Sequence, residues 1–351
     1  MSDLAAARVR AGNEKFHLPS LQVLRAIAAL MVVFHHVSSG VNVFVHPVHP
    51  VIRQFFDYGF LGVDLFFVLS GFIITHAHFA DPPGRAAAAN FMRKRLVRIY
   101  PPFLPVAVAM VALFFLAPGV AQGGREISLA SSLLLLPSSG DPALYVAWTL
   151  IHEMLFYSIF LAFYLSRRAL LVALSLWACA IVGAEALQLA QGSARYTLGL
   201  LNLEFLVGVL VALGARHFDL SKGGIWRLLA GLALMGIALP LIPPDNTPAW
   251  SRIGFAAGIG LVVLQMVVCD RRRRLAWPAA LLLVGNASYS LYLVHGPLIS
   301  VMSRLAAGLG AYWPVVFGVQ VVVCLAAGLL YYFLVERRSL SMINASMGRN
   351  R

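Results

Sequence analysis

Arg25 and His36 are the two residues with the clearest chemical potential, because they interrupt an otherwise apolar segment from Leu18 to Val37. They are eleven positions apart, and at 100° per residue both side chains share one helix face, about 16 Å apart along the axis. A cation inside a spanning helix costs on the order of 3 kcal/mol, so such a residue usually faces a bundle interior or a polar cavity. The pair therefore predicts a lined cavity. The alternative is that His36 caps the outer helix end near the lipid headgroups.

A carboxylate, Asp64, lies within the second apolar segment, Phe60–Ile74. It could orient a histidine or pair with a cation. It could also simply solvate the end of its helix. Farther along the segment, Ser70 and Gly71 are small enough to allow close approach of a neighbouring helix.

A second carboxylate, Glu153, falls about ten residues into its span, within Trp148–Tyr157. A carboxylate near mid-membrane needs a partner or a proton. Glu153 could pair with Arg25, or it could orient His36 and stabilise its charged form, as carboxylates do for catalytic bases. A purely structural buried ion pair is the alternative.

Cations alternate with apolar residues in the segment Phe91–Pro102, which contains Arg93, Lys94, Arg95 and Arg98. Such an amphipathic basic segment at a membrane face can hold anionic lipid. It can equally hold the phosphates of a nucleotide-like cofactor, because guanidinium groups match phosphate oxygens two at a time. Composition alone leaves both possibilities open.

The segment Gly285–Leu298 carries an unusual density of polar groups for an apolar helix. These groups are Asn286, Ser288, Tyr289, Ser290, Tyr292 and His295. Members spaced by three residues lie near one face and could line a tunnel. Hydrogen bonding between helices would give the same pattern.

The composition indicates an all-α membrane protein. Of the 351 residues, 60% are apolar and only 12% are charged, whereas soluble domains have about 25% charged residues. About ten segments are long enough to span a bilayer at about 20 residues each. The predicted spans are 19–38, 55–78, 102–118, 143–165, 169–188, 197–215, 226–243, 250–268, 278–302 and 312–335. We expect one membrane-embedded domain over residues 1–351, with tails at 1–17 and 337–351.

Topology explains the net charge of +13 better than a nucleic-acid partner does. Most Lys and Arg residues fall in segments that share one side if the N-terminus is inside, the pattern of the positive-inside rule. The exceptions on the opposite side are Arg53, Arg125, Arg195, Arg252 and Arg304. Both termini are therefore predicted to be cytoplasmic.

Five motifs together resemble the acyltransferase family 3 membrane proteins, and within that family the bacterial exopolysaccharide O-acetyltransferases. In chain order they are LRAIAALMVVFHH, GVDLFFVLSGFII, RKRLVRIYP, WTLIHEMLFY and SYSLYLVHGPL, and the likeness runs from Leu21 to about Glu336. Three positions depart from the family pattern: His35, Thr149, and Arg337 in place of a common proline. Some members carry an additional lumenal hydrolase-like domain, and we expect this chain to be a standalone enzyme without one.

The resemblance implies ten core helices and transfer of an acyl group, usually acetyl, from cytoplasmic acyl-coenzyme A to a glycan or lipid-linked sugar. In this interpretation His36 is the general base, or less readily the acyl carrier. Glu153 orients or stabilises it, and Arg25 holds the donor or balances charge on the thioester oxygen.

The remaining expected site residues bind the donor or support the site. Arg93, Arg95 and Arg98 would grip the phosphates, Tyr289, Ser290 and His295 would line the route, and Asp64 and Ser70 would support it, with no metal. We expect a multi-pass protein of the bacterial inner membrane, whose partners are acetyl-CoA, the glycan acceptor and membrane lipids. A secondary transporter of a glycan precursor or small anion, and a non-catalytic subunit of a polysaccharide synthase, are the alternatives.

Overall fold

The computed structural model describes residues 18–117, 125–218, 220, 223–243, 250–272 and 275–348. Helices account for most of this part of the chain, and its only pairing of extended backbone is an isolated bridge between Ile127 and Asp141. The predicted all-helical architecture is confirmed. The predicted tail 1–17 and part of the basic run Arg271–Arg274 lie outside the described residues.

Fifteen α-helices follow one another along the described residues. They are α1 Pro19–Phe44, α2 Pro50–Asp57, α3 Gly62–His78, α4 Arg85–Leu116, α5 Leu129–Leu134, α6 Trp148–Phe160, α7 Arg167–Ala186, α8 Ala194–Leu198, α9 Asn202–His217, α10 Gly224–Ala238, α11 Trp250–Arg271, α12 Ala279–Asn286, α13 Ser288–Ala307, α14 Trp313–Tyr331 and α15 Arg337–Gly348. Short 3₁₀ turns flank several of them, and a π-helical turn, Tyr332–Glu336, joins α14 to α15.

Nine helical segments among the described residues are long and apolar enough to cross a membrane, so the chain is a multi-pass membrane protein. The predicted span 278–302 differs, because it is divided at Ala287 into α12 and the more polar α13. The division lies beside a tight contact. A β-carbon on Gly285 would overlap the backbone carbonyl of Gln22, so the chain passes directly against α1 there.

Helix α1 is central to the bundle, packing against α3, α11, α12, α13 and α14. Glycines bring α3 and α9 especially close. A β-carbon on Gly71 would overlap the carbonyl oxygen of Phe205, and one on Gly208 would overlap that of Val68. The expected close approach at Gly71 is therefore present, and it holds the α3 face that carries Ser70 next to the middle of the bundle.

Three boundaries differ from the predicted ones. Residues 39–54, which lie between the first two predicted spans, are largely helical, because α1 continues to Phe44 and α2 begins at Pro50. The third span and the basic segment before it form one 32-residue helix, α4, which continues through Pro101, Pro102 and Pro105. The predicted tail 337–351 begins as helix α15.

Candidate active site

A cavity of about 150 Å³ opens among α1, α3, α4, α6 and α13. Its apolar walls come mainly from α3, which also contributes Ser70, and its other polar groups come from the remaining four helices. The polar and charged side chains in its lining are Arg25, Ser70, Arg95, Arg98, Thr149, Glu153, Tyr157, Ser288, Tyr289 and Tyr292. Three guanidinium groups face one carboxylate in this lining, so the cavity favours an anionic or polar ligand with an apolar portion.

Arg25 lines the cavity, as expected for an intramembrane cation. Charged groups near enough to interact electrostatically with Arg25 include Arg98, Glu336 and Glu153. It also lines a second pocket that adjoins the first and shares Arg98 with it. Arg25 thus lies where the cavity and the second pocket meet.

Glu153 also lines the cavity, where it is held by two neighbours. The Ser70 hydroxyl donates to Glu153 Oε1 at 3.0 Å, and the Tyr157 hydroxyl donates to the same oxygen. These bonds direct the carboxylate toward α3 and its own helix rather than toward His36. Ser70 therefore supports the site through Glu153, which follows from the close packing at Gly71.

Arg95 is positioned by a chain of side chains behind the cavity. Its Nη2 donates to His78 Nε2 at 3.1 Å, so His78 carries its proton on Nδ1 and donates it to Asp81 at 2.7 Å. Tyr164 donates to the same carboxylate at 2.9 Å. Burial opposes the charged form of Asp81, but the bonds from His78 and Tyr164 lower the pKa of this carboxyl below its usual value. A fixed anion thus anchors the far end of the chain.

Arg98 forms an ion pair with Glu336, whose carboxylate is fully buried. The Ser290 hydroxyl donates to the other carboxylate oxygen at 2.6 Å. Ser290 therefore holds the partner of Arg98 and does not line the cavity itself. Tyr289 does line it, and its hydroxyl donates to the Ile99 carbonyl of α4 at 2.9 Å.

Arg93 lies apart from the other two cations of the basic segment. It is exposed and donates to Asn90 on its own helix at 2.9 Å. It lines neither the cavity nor the adjoining pocket. Of the three arginines predicted to grip phosphates, Arg95 and Arg98 line the cavity and Arg93 does not.

His36 lies outside the cavity lining and packs against His295, with 5.0 Å between the ring centroids. The Nδ1 atoms of both rings contact backbone carbonyls one turn earlier, Val32 at 2.9 Å and Leu291 at 3.1 Å. A carbonyl only accepts, so each Nδ1 carries the proton and each Nε2 keeps its lone pair. The two rings thus share the tautomer that a general base needs.

Tyr292 connects the cavity to this histidine pair. Its ring lines the cavity and lies 5.6 Å from the His295 ring, while its hydroxyl is bonded to Thr149 at 2.9 Å. The cavity lining includes Tyr292 but neither His36 nor His295, so the cavity does not extend to His36 as the predicted route requires.

Asp64 forms a buried ion pair with an arginine. Arg252 Nε donates to Asp64 Oδ1 at 2.9 Å and Arg252 Nη2 donates to Oδ2 at 2.6 Å. Glu204 lies 4.0 Å from Arg252 Nε and is also fully buried. The geometry therefore supports the interpretation that Asp64 pairs with a cation. Asp64, Glu204 and Arg252 together connect α3, α9 and α11.

Sequence reasoning missed several of these partners. Arg252 was predicted only to lie on the outer side, yet it is 1% exposed in the first turn of α11. Glu336 and Tyr157 were within quoted or neighbouring segments, but no role was given to them. An acidic residue at the end of an apolar run beside two arginines was the available signal for Glu336. Among the described residues, no group of three or more His, Cys, Asp or Glu side chains could hold a metal ion.

Comparison with known proteins decides the family. Residues 18–332 match the family described as an acyltransferase domain, which covers most of the chain. The chain belongs to acyltransferase family 3. As a family 3 member it is an acyltransferase enzyme, and the expectation drawn from its five motifs is confirmed.

Relatives of this family 3 enzyme include one protein named for exopolysaccharide production and two named as acyl- or acetyltransferases. It is 31% identical to "Exopolysaccharide production protein ExoZ" of Rhizobium meliloti over 80% of this chain and 90% of that protein. It is 28% identical to "Acyltransferase MdmB" of Streptomyces mycarofaciens over 83% of this chain and 81% of that protein. It is 25% identical to "O-acetyltransferase OatA" of Staphylococcus aureus over 81% of this chain and 51% of that protein. No solved structure matches the chain.

Proposed function

We propose that this family 3 enzyme transfers an acetyl group from acetyl-CoA to a hydroxyl of an exopolysaccharide or of its lipid-linked precursor. The proposal extends to this chain what the names of its relatives say of them, exopolysaccharide production for one and O-acetyl transfer for another. The whole chain would act as one domain in the inner membrane of a bacterium, with the donor arriving from the cytoplasmic side.

The observation that carries the proposal is the cavity, which combines apolar walls with three guanidinium groups. An acyl-CoA has the matching chemistry, since it joins an apolar arm to anionic phosphates. Two buried donors in the cavity lining, Arg95 Nε and Ser288 Oγ, have no hydrogen-bond partner among the described residues. Buried donors are rarely left unsatisfied, so a bound ligand with polar acceptors is the simplest way to complete them.

His36 is the proposed general base. Its Nδ1 is committed to the Val32 carbonyl, so Nε2 is the atom available to take a proton. In the proposed reaction, Nε2 removes the proton of the acceptor hydroxyl as that oxygen attacks the thioester carbonyl carbon. The carbon–sulfur bond then breaks, the new ester forms, and the coenzyme A thiolate takes the proton from His36.

The other predicted residues take positions around this step. Arg25, where the cavity and the second pocket meet, would hold the acyl donor rather than offset charge on the thioester oxygen, because it lies about 16 Å along α1 from His36. Glu153 would act from within the cavity on Arg25 rather than on His36, because its hydrogen bonds run to Ser70 and Tyr157. In this proposal the Tyr292 side chain, which lies in the cavity lining next to the His295 ring, moves to let the thioester reach His36.

A complementation experiment tests the proposal. The polysaccharide of a strain that lacks the gene should lose its acetyl ester signals in NMR spectra, and the wild-type gene should restore them. His36→Ala should fail to restore them, whereas His46→Ala should succeed, because His46 is an exposed histidine that bonds only to the adjacent Pro47 carbonyl. Unchanged ester content in the deletion strain would refute the proposed function.

A transporter or a non-catalytic subunit would give other results. A non-catalytic subunit predicts that His36→Ala still supports ester formation once the protein is present in the membrane, whereas a transporter would move solute in liposomes without consuming thioester. Membership of an acyltransferase family does not support either alternative.

A further inference from the structure

A second pocket, of about 330 Å³, adjoins the cavity and has a different character. It shares Arg25 and Arg98 with the cavity, and helix α15 contributes Arg337 to its wall. The remaining lining residues are Gln22, Asn286, Tyr332 and Leu340. Three guanidinium groups and two side-chain amides therefore surround this space, and none of these lining residues is acidic.

Glu336 and Arg337 carry opposite charges and are adjacent in the sequence, at the point where the π-helical turn Tyr332–Glu336 ends and helix α15 begins. Glu336 is fully buried and bonded to Arg98, whereas Arg337 is exposed at the pocket wall. Successive helical residues point about 100° apart, so a carboxylate can lie inside the bundle while the next guanidinium lines the pocket. π turns inside helices are frequent at functional sites.

Two of the three arginines that line the pocket, Arg98 and Arg337, differ in their contacts with other side chains of the protein. Arg98 is paired with Glu336, which fixes its guanidinium between the two spaces. Arg337 lies with its guanidinium carbon 5.9 Å from the Phe333 ring, a contact that leaves its donors directed elsewhere. A planar guanidinium with available donors binds phosphate oxygens two at a time.

We propose that this pocket holds phosphate groups of the acyl donor and that Arg337 is a donor-binding residue. The inference rests on the proposed function, and it explains why the cation-rich pocket joins the more apolar cavity at Arg25. Phosphates bind in the pocket, and the apolar arm of the same molecule continues past Arg25 into the cavity. A phosphate of an anionic lipid headgroup has the same chemistry and is the other source of such a ligand.

The test measures the dissociation constant of coenzyme A, without an acyl group, on purified protein in lipid nanodiscs. Arg337→Gln is compared with Arg338→Gln, which removes the next cation on the same helix but lies outside the pocket lining. Pantetheine, which lacks the phosphates, serves as a second probe. The measurements are repeated in nanodiscs of neutral lipid and of mixed neutral and anionic lipid.

We expect Arg337→Gln to weaken coenzyme A binding about tenfold, a typical effect of losing one charge-assisted phosphate contact. Arg338→Gln should stay within about twofold, and pantetheine binding should be equal in all three proteins. Equal coenzyme A affinity in the two variants would overturn the assignment. If coenzyme A affinity is equal and Arg337→Gln also loses bound lipid, but only in the nanodiscs that contain anionic lipid, the pocket holds a lipid headgroup. If the wild-type protein fails to bind coenzyme A, the proposed donor itself is wrong.

Discussion

Replacing Asp64 tests whether this intramembrane carboxylate is structural or catalytic. Asp64→Asn keeps the side-chain volume but removes one charge from the bidentate pair with Arg252, whose side chains are 0% and 1% exposed. Removing one partner of a buried pair costs about 3–5 kcal/mol, because the other charge is left uncompensated. Glu204, 4.0 Å from Arg252, retains part of the neutralisation, so we expect the lower end of that range.

The buried group of Asp64, Glu204 and Arg252 also predicts that removing the cation and removing one carboxylate lower the stability by different amounts. Arg252→Gln leaves two buried carboxylates, Asp64 and Glu204, facing each other without their cation. It should therefore destabilise the protein more than Asp64→Asn does. The matched control is Asp57→Asn, whose pair with Arg53 has side-chain exposures of 52% for Arg53 and 19% for Asp57. Exposed pairs of this spacing contribute only about 0.3–0.5 kcal/mol.

The assay is the free energy of unfolding in mild detergent, followed by coenzyme A binding to the fraction that remains folded. We expect a large loss of stability for both cluster variants, almost none for Asp57→Asn, and unchanged coenzyme A affinity per folded molecule. The reasoning would be refuted if Asp64→Asn were as stable as the control but inactive. Asp64 would then take part in the chemistry.

Further predictions concern close packing, the tyrosine between the cavity and the histidines, and the support of Glu153. Gly71→Ala should cost about 1–3 kcal/mol of stability through overpacking, whereas Gly318→Ala, whose β-carbon would meet nothing within 4 Å, should cost little; equal thermal midpoints would contradict this. Tyr292→Trp should lower kcat about tenfold or more with coenzyme A affinity unchanged, while a fully active variant would show that the thioester does not pass this side chain. Ser70→Ala removes one hydrogen bond to Glu153 and should lower kcat a few-fold at constant protein stability; an effect on donor affinity alone would place Glu153 in donor binding.

Much of the architecture follows from the sequence, because apolar runs of bilayer length in a chain of low charge leave few alternatives to a helix bundle. The break at Ala287 did not follow from it. Hydrophobicity alone predicts a single span over 278–302. The structure has two helices there, and the close contact of Gly285 with the Gln22 backbone depends on which helices are neighbours.

The site was predictable in part for a similar reason. Intramembrane charge identified Arg25 and Glu153 as cavity residues, since an isolated charge in lipid is too costly to leave unused. The choice among cations of the basic segment was not predictable. Arg93 and Arg98 are five positions apart in the sequence, and only the packing of α4 determines that Arg98 meets Glu336 while Arg93 is exposed.

Partners from distant parts of the chain were the hardest to foresee. Nothing in the local sequence joins Asp64 to Arg252, which are 188 positions apart. The same holds for His36 and His295, whose contact places a second ring with a free Nε2 beside the proposed base. Both pairs arise from packing among helices that the sequence predicts singly but not in their arrangement.

The most direct test of the central claim is a transfer assay with purified protein, radiolabelled acetyl-CoA and polysaccharide from the deletion strain. Wild-type protein should move label into the polysaccharide. His36→Ala should bind coenzyme A with unchanged affinity but transfer label at a rate lower by at least about a hundredfold, the lower range of general-base catalysis. Transfer by His36→Ala within a few-fold of the wild-type rate would contradict the account.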